Sequence, residues 1–120
     1  MDKSESRIQY EIVSWYNNAF CLKFHEPQHF IFSVPNESRD RKETMIKKSM
    51  GLKAGVSDLI IIQPDRVLFV EVKTDTGRQS LKQKEFQNIV ERLGFRYLLV
   101  RSLNDFKQQI NTYNSGNVKY

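Results

Sequence analysis

The sequence predicts an α/β fold, a mixed β-sheet core flanked by α-helices. Three observations carry it. Two β-branched, nearly continuous apolar runs at 58–62 and 67–73 are separated only by Gln63-Pro64-Asp65-Arg66. Helical periodicity lies on either side of them. A further apolar run at 95–100 sits between two helical segments, the order expected of a strand reached through a crossover helix.

In chain order, Ser4 caps a helix running to Asn17, with Ile8, Ile12, Trp15 and Tyr16 recurring at helical spacing. Phe20–Phe24 and Phe30–Val34 are apolar-aromatic runs that read as strands, separated by His25-Glu26-Pro27-Gln28-His29. A helix is expected near Lys42–Met50, and Gly51 and Gly55 bracket the approach to the next strand. The runs at 58–62 and 67–73 read as strands buried on both faces, joined by a turn with Pro64 at its first corner. Thr74–Gln79 is a loop. Ser80–Leu93 is a helix stopped by Gly94, Phe95–Val100 a strand, and Ser102–Tyr113 a last helix. Residues 1–113 form the expected domain, and 114–120 the expected flexible tail.

Composition narrows the function. With 120 residues and 14.2 kDa the chain has room for one core. Its 39% hydrophobic and 12% aromatic content excludes a disordered chain. A net charge of +5 points to an anionic partner. No apolar window is long enough to span a membrane, and the polar stretch Met1–Arg7 does not read as a signal peptide. The lone Cys21 excludes an internal disulfide and a cysteine-rich zinc site, so a cytoplasmic setting is expected. Cys21 and Trp15 read most simply as core.

The chemistry concentrates in the hairpin. An even-numbered loop centred between Pro64 and Asp65 pairs Ile62 with Val67, Ile60 with Phe69 and Asp58 with Glu71. Two carboxylates then stand side by side, with a repulsion of order 3 kcal/mol at an effective dielectric near 20. A shared proton, a basic neighbour or a divalent cation would relieve it. Lys73, two residues after Glu71, shares its face. Metal, carboxylates and a nearby cation are what phosphodiester hydrolysis requires. An ion pair of Lys73 with either acid is the plainer alternative.

The string Gly55-Val-Ser-Asp-Leu59, then Phe69-Val-Glu-Val-Lys-Thr74, then Gly77 and Gln83, resembles the virus-type replication-repair nuclease (VRR-NUC) domain. That family belongs to the PD-(D/E)XK, restriction-endonuclease-like superfamily. The resemblance extends from about Ser4 to Ile110 and includes Glu5 with Ile8-Gln9 and Val34-Pro-Asn36. Ser57 stands where the superfamily pattern has proline. The resemblance implies a restriction-endonuclease-like fold, with Asp58, Glu71 and the Val72 carbonyl as ligands for Mg²⁺ or Mn²⁺. It also implies Lys73 as the catalytic lysine, Glu5 completing the acidic site and Gln83 orienting a ligand or water. Helix geometry alone does not choose between Glu5 and Glu11, and Ser80-Leu81-Lys82-Gln83 also reads as a capping box.

Two basic sets are candidates for DNA contact. One is Arg39, Arg41, Lys42, Lys47, Lys48 and Lys53; the other is Arg78, Lys82 and Lys84. Lacking a helix-turn-helix or zinc finger, they read as a phosphate track that recognises DNA shape. The literal H-E-x-x-H at 25–29 is read as accidental, because Pro27 breaks the helix a zinc site needs. No phosphate-binding loop is present, so no nucleotide cofactor is expected. By resemblance to the standalone phage-associated members, the expectation is a homodimeric, metal-dependent Holliday (four-way) junction resolvase acting on branched double-stranded DNA. The alternatives are a monomeric flap or nicking nuclease and a catalytically inactive DNA-binding module.

Overall fold

A computed structural model describes residues 3–22, 28–35, 41–51 and 53–118. Helix α1 (Glu5–Tyr16) begins at Ser4, whose side chain accepts the Arg7 N–H. After it come β1 (Phe30–Ser33), α2 (Arg41–Ser49), β2 (Leu59–Gln63), β3 (Arg66–Val72), α3 (Leu81–Arg92), β4 (Arg96–Val100) and α4 (Leu103–Val118). The sheet order is β1-β2-β3-β4. The first two pairings are antiparallel and β3 runs parallel to β4. The parallel pair needs a crossover, and α3 supplies it.

Side-chain alternation divides the sheet into two faces. Leu59, Ile61, Leu68, Val70, Val72, Leu98 and Val100 point to one face and are all buried. There they pack with Ile8, Ile12 and Tyr16 of α1 and Phe106 and Ile110 of α4. On the opposite face α3 packs on β4, and Phe69, Phe86, Phe95 and Tyr97 meet edge to face.

Three sequence expectations need correction. Phe20 belongs to a π-helical turn, Asn17–Cys21, that continues α1 instead of starting a strand. Phe20 thereby stacks on Tyr16 and Trp15, so its aromatic character serves the helix corner and not a sheet. Lys23 and Phe24 of that run lie outside the described residues. The strands were expected to be buried on both faces, yet β2 alternates and Ile62 is 44% exposed. Its unbroken apolar pattern reflects a face that none of the described helices covers. Finally, α4 runs past Tyr113 to Val118.

Loop chemistry matches the sequence. Asp65 takes a left-handed φ of 63°, which the second corner of a Pro-led type II turn demands. Gly94 does the same at 94° after α3. Gly55 is different in kind. Its φ is +84°, and a Cβ built there lies 2.3 Å from the Lys82 carbonyl oxygen. The turn leading to Asp58 therefore lies directly against the first turn of α3.

Gly55→Ala should lower unfolding free energy by at least about 2 kcal/mol, from backbone strain plus collision with backbone. Gly51→Ala, with φ +109° but nothing within 4 Å, should cost less. Urea titrations of both variants check the ranking.

Candidate active site

The hairpin register builds the site. Leu59 pairs with Val70 and Ile60 with Phe69, so one step outward Asp58 stands opposite Glu71. Asp58 is fixed twice: its Oδ2 accepts the Val72 N–H at 2.8 Å, and its carbonyl accepts the Val34 N–H at 2.9 Å. Ser57, in the position of the superfamily proline, is buried and its hydroxyl donates to the Leu59 carbonyl at 3.2 Å.

Glu71 is 1% exposed. Its Oε2 accepts from Gln83 Nε2 at 3.2 Å, while its buried Oε1 has no hydrogen-bond partner among the described residues. Burial pushes its carboxyl up to about 8, and the adjacent Asp58 adds to the rise. The Lys73 ammonium opposes that rise, and Glu5 adds slightly to it. Lys73 is itself buried, and its amide donates to the Val100 carbonyl at 3.0 Å, which extends the β3–β4 ladder.

Gln83 completes the capping box that the sequence offered and also reaches Glu71. Its Oε1 accepts the Ser80 N–H at 2.8 Å and its own N–H meets Ser80 Oγ at 3.2 Å, a complete capping box. The other end of the same amide holds Glu71. Glu5, exposed in the first turn of α1, lines a cleft of about 450 Å³ with Ser33, Val34, Pro35 and Asp58. Glu11 instead pairs with Lys3 at 2.7 Å and Arg7 at 3.4 Å, and lines a different cleft. Of the two glutamates, Glu5 is the one that shares a cleft with Asp58.

Of the basic residues, Lys47, Lys48 and Lys53 are exposed, as are Arg78, Lys82 and Lys84. Lys82 pairs with Glu85 at 3.5 Å. Arg39 lies outside the described residues; Arg41 and Lys42 belong to α2. His29 is not on a helix and meets the Tyr16 hydroxyl at 2.8 Å through Nδ1. Tyr16 also accepts from Gln63 Nε2 at 2.9 Å, and Gln63 Oε1 accepts from Arg66 Nε at 2.6 Å. This polar chain sits at the turn end of β2, away from Asp58. His25 is outside the described residues.

Two supports escaped the sequence reading. Tyr97 is buried behind Glu71, its hydroxyl accepting from Gln79 Nε2 at 3.2 Å, and Gln79 also donates to Gln87 at 2.9 Å. Burial, then the charges of Glu71 and Asp58, raise the Tyr97 phenol well above its ordinary value. Arg101 Nη1 donates to the carbonyls of Thr74 at 2.6 Å, Gly77 at 2.7 Å and Asp75 at 3.3 Å. It ties down the loop that follows Lys73. Only the parallel register Phe69↔Tyr97 could have pointed to the first support; the second has no local sequence signal.

The donor chemistry suits a hard cation. No three His, Cys, Asp or Glu side chains converge as a metal cluster among the described residues. What is present is a carboxylate pair with one buried, unpartnered oxygen. Mg²⁺ is commonly held by one or two carboxylates, with water and phosphate oxygens completing its shell.

The raised Glu71 value makes stability pH-dependent in metal-free buffer. The unfolded chain releases this proton near 4.5 and the folded chain near 8. Between those values the folded state holds more protons, so stability is full below 4.5 and falls as pH rises to about 8. The slope is at most about 1.4 kcal/mol per pH unit. Glu71→Gln should flatten that fall and raise Tm at pH 8, as measured by melting curves in EDTA.

The family model of the VRR-NUC domain matches residues 3–104. No curated protein matches the chain significantly. A solved structure described as "VRR_NUC domain protein" is similar at a TM-score of 0.73 and 24% identity, covering 92% of this chain and 88% of that one. Another, described as "VRR_NUC domain", is similar at 0.63 and 19% identity, covering 91% and 96%. These structures share the fold, and the family model spans β2 and β3, the strands that carry Asp58 and Glu71 at or beside their ends. The chain belongs to the VRR-NUC domain family, a family of nucleases.

Proposed function

We propose that this nuclease is a metal-dependent, structure-specific DNA endonuclease that cuts four-way junctions as a homodimer. The observation that carries the reading is the buried Glu71 opposite the half-buried Asp58, with a Glu71 oxygen unpartnered among the described residues, beside Lys73. Buried acids in contact are costly, and a divalent cation converts that cost into binding. Asp58, Glu71 and the Val72 carbonyl would hold Mg²⁺ or Mn²⁺, with Glu5 across the cleft. The bound ion supplies Lewis acidity and a water of lowered pKa.

This chain's own residues do the rest. Glu71, protonated below about 8 without metal, would have to release that proton to hold a cation, so affinity for the ion should rise with pH toward 8. Val72 N–H and Gln83 hold the two carboxylates in place. Lys73 offers its ammonium to the phosphoryl oxygens as negative charge develops there. Lys47, Lys48, Lys53, Arg78, Lys82 and Lys84, joined by Arg39, Arg41 and Lys42, would track phosphates without reading bases. Symmetric cutting of a junction needs two such sites, which a homodimer provides.

Labelled junction, flap and linear duplex should be incubated with the full chain, with and without Mn²⁺. Paired symmetric nicks in the junction that depend on metal are expected. A single nick near a 5′ end would sink the resolvase reading in favour of a flap nuclease. Glu71→Ala should abolish cleavage and spare DNA binding, and Lys73→Ala should lower kcat by about 10²–10³-fold. Binding should weaken with salt at a log–log slope near −0.9 per neutralised phosphate; a flat response argues against a phosphate track.

A further inference from the structure

In the proposed reaction the Lys73 ammonium must stand beside Glu71, yet a lysine carries its charge on a flexible four-carbon stem. Among the described residues no hydrogen bond or ion pair holds that ammonium. The side chain is nevertheless only 9% exposed, so its place is set by what lies along the stem. Strand β3 ends at Val72, and the chain then folds back on itself. The Gly77 N–H donates to the Thr74 carbonyl at 3.2 Å and to Thr74 Oγ1 at 3.1 Å. A Cβ built on Gly77 would lie 3.1 Å from Thr74 Oγ1 and 3.5 Å from Lys73 Cδ. The Gly77 backbone therefore lies alongside the lysine stem, with room for little more than one carbon between them.

Arg101 holds this fold-back from outside the loop. Its Nη1 donates to the carbonyls of Thr74 at 2.6 Å, Gly77 at 2.7 Å and Asp75 at 3.3 Å. Three backbone oxygens thus converge on one charged nitrogen, which makes these bonds stronger than neutral ones. Arg101 is itself fixed. It follows Val100, whose carbonyl accepts the Lys73 N–H at 3.0 Å, so it stands beside Lys73 where the parallel ladder ends. Its N–H donates to Asp105 Oδ2 at 2.9 Å, and Asp105 Oδ1 accepts from Gln109 Nε2 at 3.0 Å. Gln109 also donates to the Leu99 carbonyl at 3.0 Å. We propose that Arg101 is a positioning residue: its guanidinium locks residues 74–77 against the stem of Lys73 and so fixes where the Lys73 ammonium stands. The inference rests on the role given to Lys73 in the preceding section. A direct contact of Arg101 with a DNA phosphate is the competing role. It would act on substrate binding, whereas a clamp on Lys73 acts on turnover.

Reductive methylation of the full chain, without metal or DNA and followed by mass spectrometry, reads the freedom of Lys73 directly. Lys73 should react slowly in the wild type and at least about tenfold faster in Arg101→Ala, with the exposed Lys84 unchanged as the internal reference. Millimolar guanidinium should restore protection to Arg101→Ala by filling the same three carbonyls, and equal NaCl should not. Arg101→Gln, a shorter and uncharged donor, should fall between the two and carries the comparison if the alanine variant does not fold. Equal Lys73 rates in wild type and variant overturn the proposal, whether or not the chain cuts DNA. In cleavage assays Arg101→Ala should lower kcat by about 10–10²-fold and leave KM for DNA little changed. The double variant Lys73→Ala/Arg101→Ala should be no slower than Lys73→Ala alone, because the clamp acts through the lysine. Additive losses overturn the proposal, as does a raised KM at unchanged kcat, which assigns Arg101 to the DNA. A wild type that cuts no DNA sinks the nuclease mechanism, and the methylation rates then still decide whether Arg101 holds Lys73.

Discussion

An acid buried beside another acid is the constraint on which the candidate-site end of this molecule depends. Glu71 sits within the sheet at 1% exposure with Asp58 opposite it, and among the described residues Lys73 is the charge that offsets them. Such an arrangement survives because the surrounding structure determines it several times over. The hairpin register fixes which residues face each other. Val72 N–H fixes Asp58, and Gln83 fixes one oxygen of Glu71. Tyr97 closes the space behind, with Gln79 and Gln87 behind it in turn. The core under α1 and α4 supplies the stability that lets this strain persist, since the buried face of β2, β3 and β4 is almost wholly aliphatic.

The parts legible in the sequence share one property: they are decided within a few residues. A two-residue loop led by Pro64 sets the hairpin, and the hairpin sets Asp58 against Glu71. Ser80 and Gln83 announce a capped helix three residues apart, and Gly94 announces its end. The resemblance to the family rested on the same local strings, and the family match over residues 3–104 agrees with it.

What was not legible depends on distance or on absence. Phe20 looked like the start of a strand because its run is aromatic; only its stacking on Tyr16 and Trp15 shows that it finishes a helix. The runs in β2 and β3 look alike, yet α3 covers one and leaves much of the other open, which no window of sequence records. Arg101 binds carbonyls more than twenty residues away. The choice between Glu5 and Glu11 was open on the helix and became distinct only when β1 and β2 placed Asp58 in the cleft with Glu5.

The polar chain at the far end of β2 has a direction. Arg66 donates to the Gln63 oxygen, which leaves the Gln63 amide nitrogen to donate to Tyr16. Among the described residues the single phenolic proton then has one acceptor left, the Nδ1 of His29. The imidazole is thereby fixed as the neutral tautomer carrying its proton on Nε2, and burial and the Arg66 charge disfavour a second proton. A ring so committed offers no lone pair to zinc. The H-E-x-x-H letters at 25–29 thus end in a histidine whose electrons are already spent on a tyrosine.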